Sequence, residues 1–158
     1  MTPAALVITV STRASAGVYE DRSGPILASA LADLDFEVDG PLVVPDGDEV
    51  GQALRDGVQQ GYAVILTTGG TGLNPHDHTP EQTRAVLERE IPQLPAAVAR
   101  YGMEAGVPTA VLSRGLAGVA GRSLIVNLPG SSGAARDAMV VLGPVLVHAV
   151  SQIQGGDH

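Results

Sequence analysis

Short aliphatic runs alternate along this chain with longer segments whose apolar residues recur at helical spacing. The runs that predict strands are residues 6–10, 36–44, 63–67, 110–112 and 124–127. Helices are predicted over residues 23–34, 50–61, 94–105 and 132–153, and from Thr79 to a stop at Pro92. This alternation favours an α/β fold with a mainly parallel sheet covered on both faces. Ligands of such folds bind in the loops that follow the carboxyl ends of the strands.

Two local signals predict helix boundaries. Thr79, Pro80 and Gln82 form a Thr-x-x-Gln capping box with proline at the first helical position. In the last helix, Gly143 and Pro144 predict a kink or a break, because proline removes a backbone donor.

Composition excludes several kinds of chemistry. The chain has 158 residues, so we expect one domain spanning residues 1–158. It has no cysteine, and all 9 basic residues are arginine. A thiolate nucleophile, a thiolate metal site, a P-loop lysine and a lysine Schiff base are therefore excluded. With 17 acidic residues the net charge is −8, which argues against nucleic-acid binding.

The sequence also bears on location. The first residues, Met1 to Val7, carry no basic segment, so they do not resemble a secretory signal. The longest apolar stretch, residues 138–150, is 13 residues and too short to span a bilayer. We therefore expect a soluble cytoplasmic protein without a membrane partner.

A glycine-rich turn follows the third predicted strand. Gly69, Gly70, Thr71 and Gly72 stand where backbone N–H groups could converge on a phosphate. A tight turn that merely needs glycine is the alternative. The turn lacks the third glycine of a dinucleotide fingerprint, because position 75 is proline.

Two aspartates follow predicted strands. Asp77 stands close to the glycine turn, where a carboxylate would hold Mg²⁺ beside phosphates, or would only complement a helix dipole. Asp46 is either its partner or part of an ordinary acidic turn. His76 and His78 lack an obvious third ligand, so a zinc or copper site is not favoured.

A third loop joins the last core strand to the last helix. Asn127, Pro129, Gly130 and Ser131 lie in it, where they could donate to phosphate or to a polar heterocycle at a helix N-terminus. The loop does not match the Gly-x-Ser-x-Gly elbow of serine hydrolases, because Gly130 and Gly133 are three residues apart.

Together these segments resemble the molybdenum-cofactor biosynthesis family that includes bacterial Mog and MoaB proteins and the G domains of gephyrin. The similarity extends from about residue 4 to the last helix. The matching segments are 11–14 with Gly17 and Asp21, then 45–46, 67–72, 77–81 and 127–130.

The resemblance implies a three-layer α/β/α domain that assembles as a homotrimer. It implies a molybdopterin adenylyltransferase that uses Mg²⁺ and ATP, releases pyrophosphate and passes its product to a molybdenum-insertion enzyme. A non-catalytic molybdopterin-binding trimer and a scaffold with relic loops are the alternatives.

The resemblance also assigns roles to residues. Asp46 and Asp77 match the functional aspartates, with Asp77 and possibly Asp46 holding Mg²⁺. The glycines from Gly69 to Gly72 would cradle phosphates, and residues 127–131 would line the shared pterin and nucleotide site.

Two residues qualify this assignment. Arg13 would add a phosphate contact or would pair with Glu20 or Asp21. His76 stands where many family members have arginine, so a fixed cationic contact is lost or becomes pH-dependent. If His76 binds phosphate, activity should rise as pH falls, because histidine gains its charge on protonation.

Overall fold

The fold is built on one six-stranded sheet in the order β2-β1-β3-β6-β5-β4. The computed structural model describes residues 2–156, so Met1, Asp157 and His158 of the predicted domain lie outside the described residues. The strands are β1 Ala4–Val10, β2 Glu37–Val44, β3 Val64–Thr68, β4 Arg89–Glu90, β5 Ala117–Ala120 and β6 Ser123–Leu128.

The central pairings of the sheet are parallel, as predicted. Strand β1 pairs in parallel with β2 and β3, and β3 pairs in parallel with β6. Strands β5 and β4 continue the sheet in the antiparallel sense. The carboxyl ends of β2, β1, β3 and β6 therefore meet at one edge of the sheet. The three loops predicted to bind a ligand, at residues 45–48, 69–78 and 127–133, emerge there.

Helices cover both faces of the sheet and confirm the three-layer α/β/α class. They are α1 Thr12–Ser15, α2 Ser23–Asp33, α3 Asp48–Gln60, α4 Thr79–Arg84, α5 Gln93–Glu104 and α6 Ser132–Ile153, with a 3₁₀ helix at Pro108–Leu112. One buried cluster joins the sheet to α2, α5 and α6, and a second joins the opposite face to α3.

The predicted strand at residues 110–112 is wrong. Those residues belong to the 3₁₀ helix, which begins with Pro108. Val111 and Leu112 are about half exposed, so they do not form a buried strand. The strand of this region is β5, which the alternation did not predict.

The predicted capping box and the stop at Pro92 are also wrong. Helix α4 begins with Thr79 and ends at Arg84, and no side chain caps it. The Thr79 hydroxyl donates to the carbonyl of Gly69 instead, at 3.0 Å. After α4 the chain turns to join the sheet, where the N–H of Glu88 donates to the carbonyl of Val119 at 2.9 Å.

Helix α6 runs without a break through Gly143 and Pro144. Pro144 leaves the carbonyl of Val140 without its helical donor. Because Val140 and Pro144 are both exposed, water can donate to this carbonyl instead. By length and composition alone, α6 would pass as a membrane-spanning helix. In the fold, a stripe from Ala135 to Val150 is buried against the sheet, which is how core helices pack.

Candidate functional site

The loops at the carboxyl edge of the sheet surround a cavity of about 570 Å³. Nine of the eleven sequence-predicted site residues line it: Gly69, Gly70, Thr71, Gly72, Asp77, Asn127, Pro129, Gly130 and Ser131. Asp46 and Arg13 do not appear in its lining. Helix α5, the 3₁₀ helix and the first turns of α6 supply the remaining wall, which sequence reasoning did not predict.

The turn after β3 requires glycine at two positions. Gly69 and Gly70 have φ angles of +102° and +69°, in the left-handed region that side chains disfavour. A Cβ at Gly69 would collide with the carbonyl of Val10, and one at Gly70 would collide with Thr79 and Asp46. The backbone of the turn is therefore packed directly against the neighbouring loops.

The same turn presents unused donors. The N–H of Gly69 donates to the carbonyl of Leu128 at 2.9 Å. Within residues 2–156, the N–H groups of Gly70, Thr71 and Gly72 have no protein acceptor. Three consecutive free donors beside a cavity suit the binding of an anion.

Asp46 lies against this turn, although it does not line the cavity. Its Oδ1 accepts a hydrogen bond from the N–H of His78 at 3.0 Å, next to Asp77 in the chain. Its Oδ2 lies 2.5 Å from the point where a Cβ of Gly70 would stand. Burial raises the pKa of Asp46 and the charge of Asp77 adds to the shift, against the lowering effect of the His78 N–H.

Asp77 lies at the other end of the turn, beside Gly72. Its Oδ2 accepts a hydrogen bond from the N–H of Asn74 at 3.3 Å and lies 2.9 Å from the point where a Cβ of Gly72 would stand. The two carboxylates thus flank the free donors.

The two carboxylates suit a Mg²⁺ ion that also binds substrate phosphates and water, rather than a metal ion held by protein ligands alone. Among the residues that the structure describes, no group of three or more histidine or carboxylate side chains is placed to hold a metal. Mg²⁺ is commonly held by one or two carboxylates together with substrate phosphates and water. Because burial and the charge of Asp77 raise the pKa of Asp46, a bound cation would stabilise the ionised form of this carboxylate.

Arg114 organises the loop that carries Asp77, and sequence reasoning missed it. Its Nε donates to the carbonyl of Gly72 at 2.8 Å, and its Nη2 donates to the carbonyl of Asp77 at 2.9 Å. Its Nη1 donates to Glu81 at 2.7 Å, an ion pair that raises the pKa of Arg114 and lowers that of Glu81. Its guanidinium is thereby committed to protein acceptors.

Asn127 joins four parts of the fold through its side chain. Its Nδ2 donates to the hydroxyls of Thr67 and Thr83 at 3.0 and 2.9 Å. Its Oδ1 accepts from the N–H of Leu116 at 3.0 Å. Since this amide is only 2% exposed, it positions the walls of the cavity.

A second cavity of about 280 Å³ lies beyond Gly69 and Gly130, which line both cavities. Its lining includes hydroxyl side chains: Thr9, Ser11, Tyr19, Ser23, Thr68, Ser131 and Ser132. The Ser131 hydroxyl also caps α6 by accepting the N–H of Ala134 at 3.1 Å.

Arginines and histidines differ in how close they come to these cavities. Arg22 lines the second cavity, whereas Arg13 is exposed and lines neither. In the part of the chain that the structure describes, Arg13 makes no ion pair. The predicted pairing with Asp21 does not form, because Asp21 accepts from Thr9 and the N–H of Gly24. His76 is exposed outside both linings.

The sequence matches a family described as "Probable molybdopterin binding domain" over residues 6–148. It is 38% identical over 138 residues to the molybdopterin adenylyltransferase of Haemophilus influenzae, covering 84% of this chain and 69% of that protein. It is 40% identical over 150 residues to the molybdenum cofactor synthesis protein cinnamon of Drosophila melanogaster, covering 93% of this chain.

The share of each relative that is matched varies. The chain spans 25% of the Drosophila protein and about half of two bacterial molybdenum cofactor biosynthesis bifunctional proteins, at 50% and 48%. Among solved structures, the molybdopterin biosynthesis Mog protein of Mycobacterium ulcerans superposes with a TM-score of 0.90 at 49% identity. That match covers 98% of this chain and 99% of the Mycobacterium chain.

Proposed function

The chain belongs to the molybdopterin-binding family of Mog, MoaB and gephyrin-type proteins of molybdenum cofactor biosynthesis, and from this membership we propose that it is a molybdopterin adenylyltransferase. In the proposed reaction a phosphate oxygen of molybdopterin attacks the α-phosphorus of ATP. The bond from that phosphorus to the bridging oxygen breaks, and pyrophosphate leaves. The product is adenylylated molybdopterin, which a metal-insertion enzyme would receive.

The three free N–H groups of Gly70, Thr71 and Gly72 are the observation that carries this proposal. Transfer between two phosphates asks the protein mainly to position anions and to neutralise charge. Fixed backbone donors provide this without lysine, which the chain lacks. They need no reorganisation as the charge develops, because the turn is held by Leu128, Thr79 and Arg114.

Asp77 and Asp46 are the side chains that we propose hold Mg²⁺. Bound Mg²⁺ supplies positive charge that offsets the charge of the phosphates. Asp77 lines the cavity, while Asp46 fixes the backbone at His78 and brings a second negative charge close to Gly70.

The loop after β6 completes the proposed site. Pro129, Gly130 and Ser131 line the cavity beside the glycine turn, at the start of α6. The N-terminus of this helix favours an anion. Asn127 holds the two loops in register, and Arg13 remains a predicted phosphate contact.

One observation favours the second candidate, a protein that binds molybdopterin without turning over ATP. The guanidinium of Arg114 is already bound to Gly72, Asp77 and Glu81. His76 occupies a sequence position where many family members have arginine, and it lies outside both cavities. A free cation that could neutralise a leaving pyrophosphate is therefore not provided by either residue.

We further propose a homotrimer of single domains in the cytoplasm. Helix α6 keeps an exposed aliphatic face, where Val140 and Val147 are 55% and 56% exposed. An apolar face of this kind suits burial against another subunit.

Pyrophosphate release tests the proposed activity. Purified protein is mixed with molybdopterin and ATP, with Mg²⁺ or with a chelator, beside the variants Asp46→Ala and Asp77→Ala. We expect Mg²⁺-dependent release that falls at least about 100-fold in each variant. The control Asp33→Ala alters an exposed carboxylate of α2 and should retain full activity. If the unaltered protein binds molybdopterin but releases no pyrophosphate, the second candidate is established.

A further inference from the structure

Two helical stripes face each other across the larger cavity. Pro95, Val98, Ala99 and Gly102 follow one another at helical spacing on α5 and line one wall. Gly133, Ala134 and Asp137 form the facing stripe of α6, since residues three and four apart share a helix face. The 3₁₀ helix closes the slot with Thr109, Ala110 and Leu112, next to Val107. The walls of this slot are therefore mostly apolar, which suits a flat ring.

Asp137 brings a charged side chain to these mostly apolar walls. It lies in a half-buried position on the cavity wall. Across residues 2–156, neither a hydrogen bond nor an ion pair engages its carboxylate. Its two oxygens can therefore accept hydrogen bonds from a ligand in the cavity. Neither the proposed phosphate site nor the packing of α6 requires it.

The distance of Asp137 from the glycine turn fits a ligand with two ends. Helix α6 starts beside Gly130, which contacts Gly69 of the turn. Because an α-helix rises about 1.5 Å per residue, Asp137 lies roughly 8 Å along the axis from Ser132. A ligand whose phosphate occupies the turn would thus place a ring system beside Asp137.

We propose that Asp137 selects the ring of the substrate by accepting hydrogen bonds from a 2-amino-4-oxopyrimidine edge, as in a pterin. That edge presents two adjacent donors, the ring N3–H and the 2-amino group, which match the two oxygens of one carboxylate. Adenine presents a donor beside an acceptor, so the same carboxylate would repel its ring nitrogen. Asp137 is in this sense a specificity residue, and the inference rests on the proposed function for the identity of the substrate.

A pair of ring compounds tests this inference without ATP. The probes are 6-hydroxymethylpterin, which carries a 2-amino group, and 6-hydroxymethyllumazine, which carries a 2-oxo group at the same position. Their dissociation constants are measured by fluorescence titration in slightly acidic buffer, where both rings keep N3–H. We expect the unaltered protein to bind the pterin at least about tenfold more tightly, since hydrogen bonds to charged groups are strong.

The variant Asp137→Asn provides the sharper readout. An amide offers one acceptor and one donor, which match the N3–H and 2-oxo groups of the lumazine. We therefore expect the preference to reverse or to fall below about threefold, whereas a purely structural residue would leave the ratio of the two constants unchanged. The variant Asp137→Glu should keep the preference for the pterin, and the control Asp33→Asn should keep it in full.

Two outcomes would overturn the inference. One is equal binding of both probes by the unaltered protein, and the other is an unchanged preference in Asp137→Asn. Each variant is checked for an unaltered melting temperature, and equal binding of both probes by the unaltered protein overturns the inference even if the asparagine variant fails to fold. Because selectivity is measured without ATP, a protein without transferase activity can still pass, so the two proposals fail separately.

Discussion

Asp46 carries its negative charge in a place that disfavours it. Burial and the nearby charge of Asp77 raise its pKa, so its ionised form destabilises the folded protein. We predict that Asp46→Asn raises the melting temperature at neutral pH while it abolishes turnover. The gain should shrink as pH falls and vanish below 3.8, the ordinary value for aspartic acid, because the carboxyl group is then neutral in both the folded and the unfolded protein. Melting curves at neutral and acidic pH check this, and a lower melting temperature at neutral pH would refute it.

Arg114 holds the Asp77 loop through three acceptors, at Gly72, Asp77 and Glu81. Lysine cannot reproduce this fork, so we predict that Arg114→Lys lowers turnover about 10- to 100-fold and the free energy of unfolding by about 1–2 kcal/mol. Urea unfolding and the pyrophosphate assay measure the two effects. The matched control is Arg84→Lys, whose pair with Glu90 is exposed and should change stability by less than about 0.5 kcal/mol. Equal effects of both substitutions would contradict the role of Arg114.

At the scale of single residues, the sequence predicted those site residues that lie close to the glycine turn in the chain. Asp77 and the glycines could be predicted because they follow a strand within a few positions. Arg114 could not, because Asp77 and Glu81 are 37 and 33 residues away in the chain. Only the pairing of strands brings these residues together.

At the scale of the elements, α5 packs closely against the 3₁₀ helix at Gly102. A Cβ added to Gly102 would lie 2.8 Å from that of Ala110. We predict that Gly102→Ala destabilises the protein by about 1–3 kcal/mol through overpacking and narrows the slot. Gly143→Ala is the matched control, because nothing lies within 4 Å of that position in α6 and alanine favours a helix by up to about 1 kcal/mol. Melting temperatures at equal protein concentration should move in opposite directions, and a common direction would contradict this.

Periodicity predicted α2, α3, α5 and α6 because each buries one face of a helix. It failed where tertiary contacts outweigh local preference. Thr79 was predicted to cap a helix, yet its hydroxyl donates to the Gly69 carbonyl and so helps to hold the glycine turn. Strand β5 was missed because its short Ala-Gly-Val-Ala segment becomes a strand only by pairing with β6.

For the whole molecule, the order of the strands explains why one edge holds the site. Four strands present their carboxyl ends together, and the alternation of the sequence was sufficient to predict this. The antiparallel edge formed by β5 and β4 was not predictable, because a two-residue strand carries no periodic signal.

Assembly is the prediction that belongs to this scale. We expect sedimentation analysis to give three times the chain mass of 16.0 kDa, with the exposed face of α6 buried between subunits. Val140→Asp should then shift the protein towards monomers, because a charge at an apolar interface is unfavourable. A monomer at all concentrations of the unaltered protein would contradict the trimer.

The central claim is that this chain joins AMP to molybdopterin, and the mass of the pterin product tests it most directly. Molybdopterin is incubated with purified protein and Mg-ATP, and the bound pterin is released and weighed by mass spectrometry. The account predicts that molybdopterin gains one adenylyl group, and that Asp77→Ala leaves it unmodified. Molybdopterin that is bound by the unaltered protein but recovered unmodified would contradict the account.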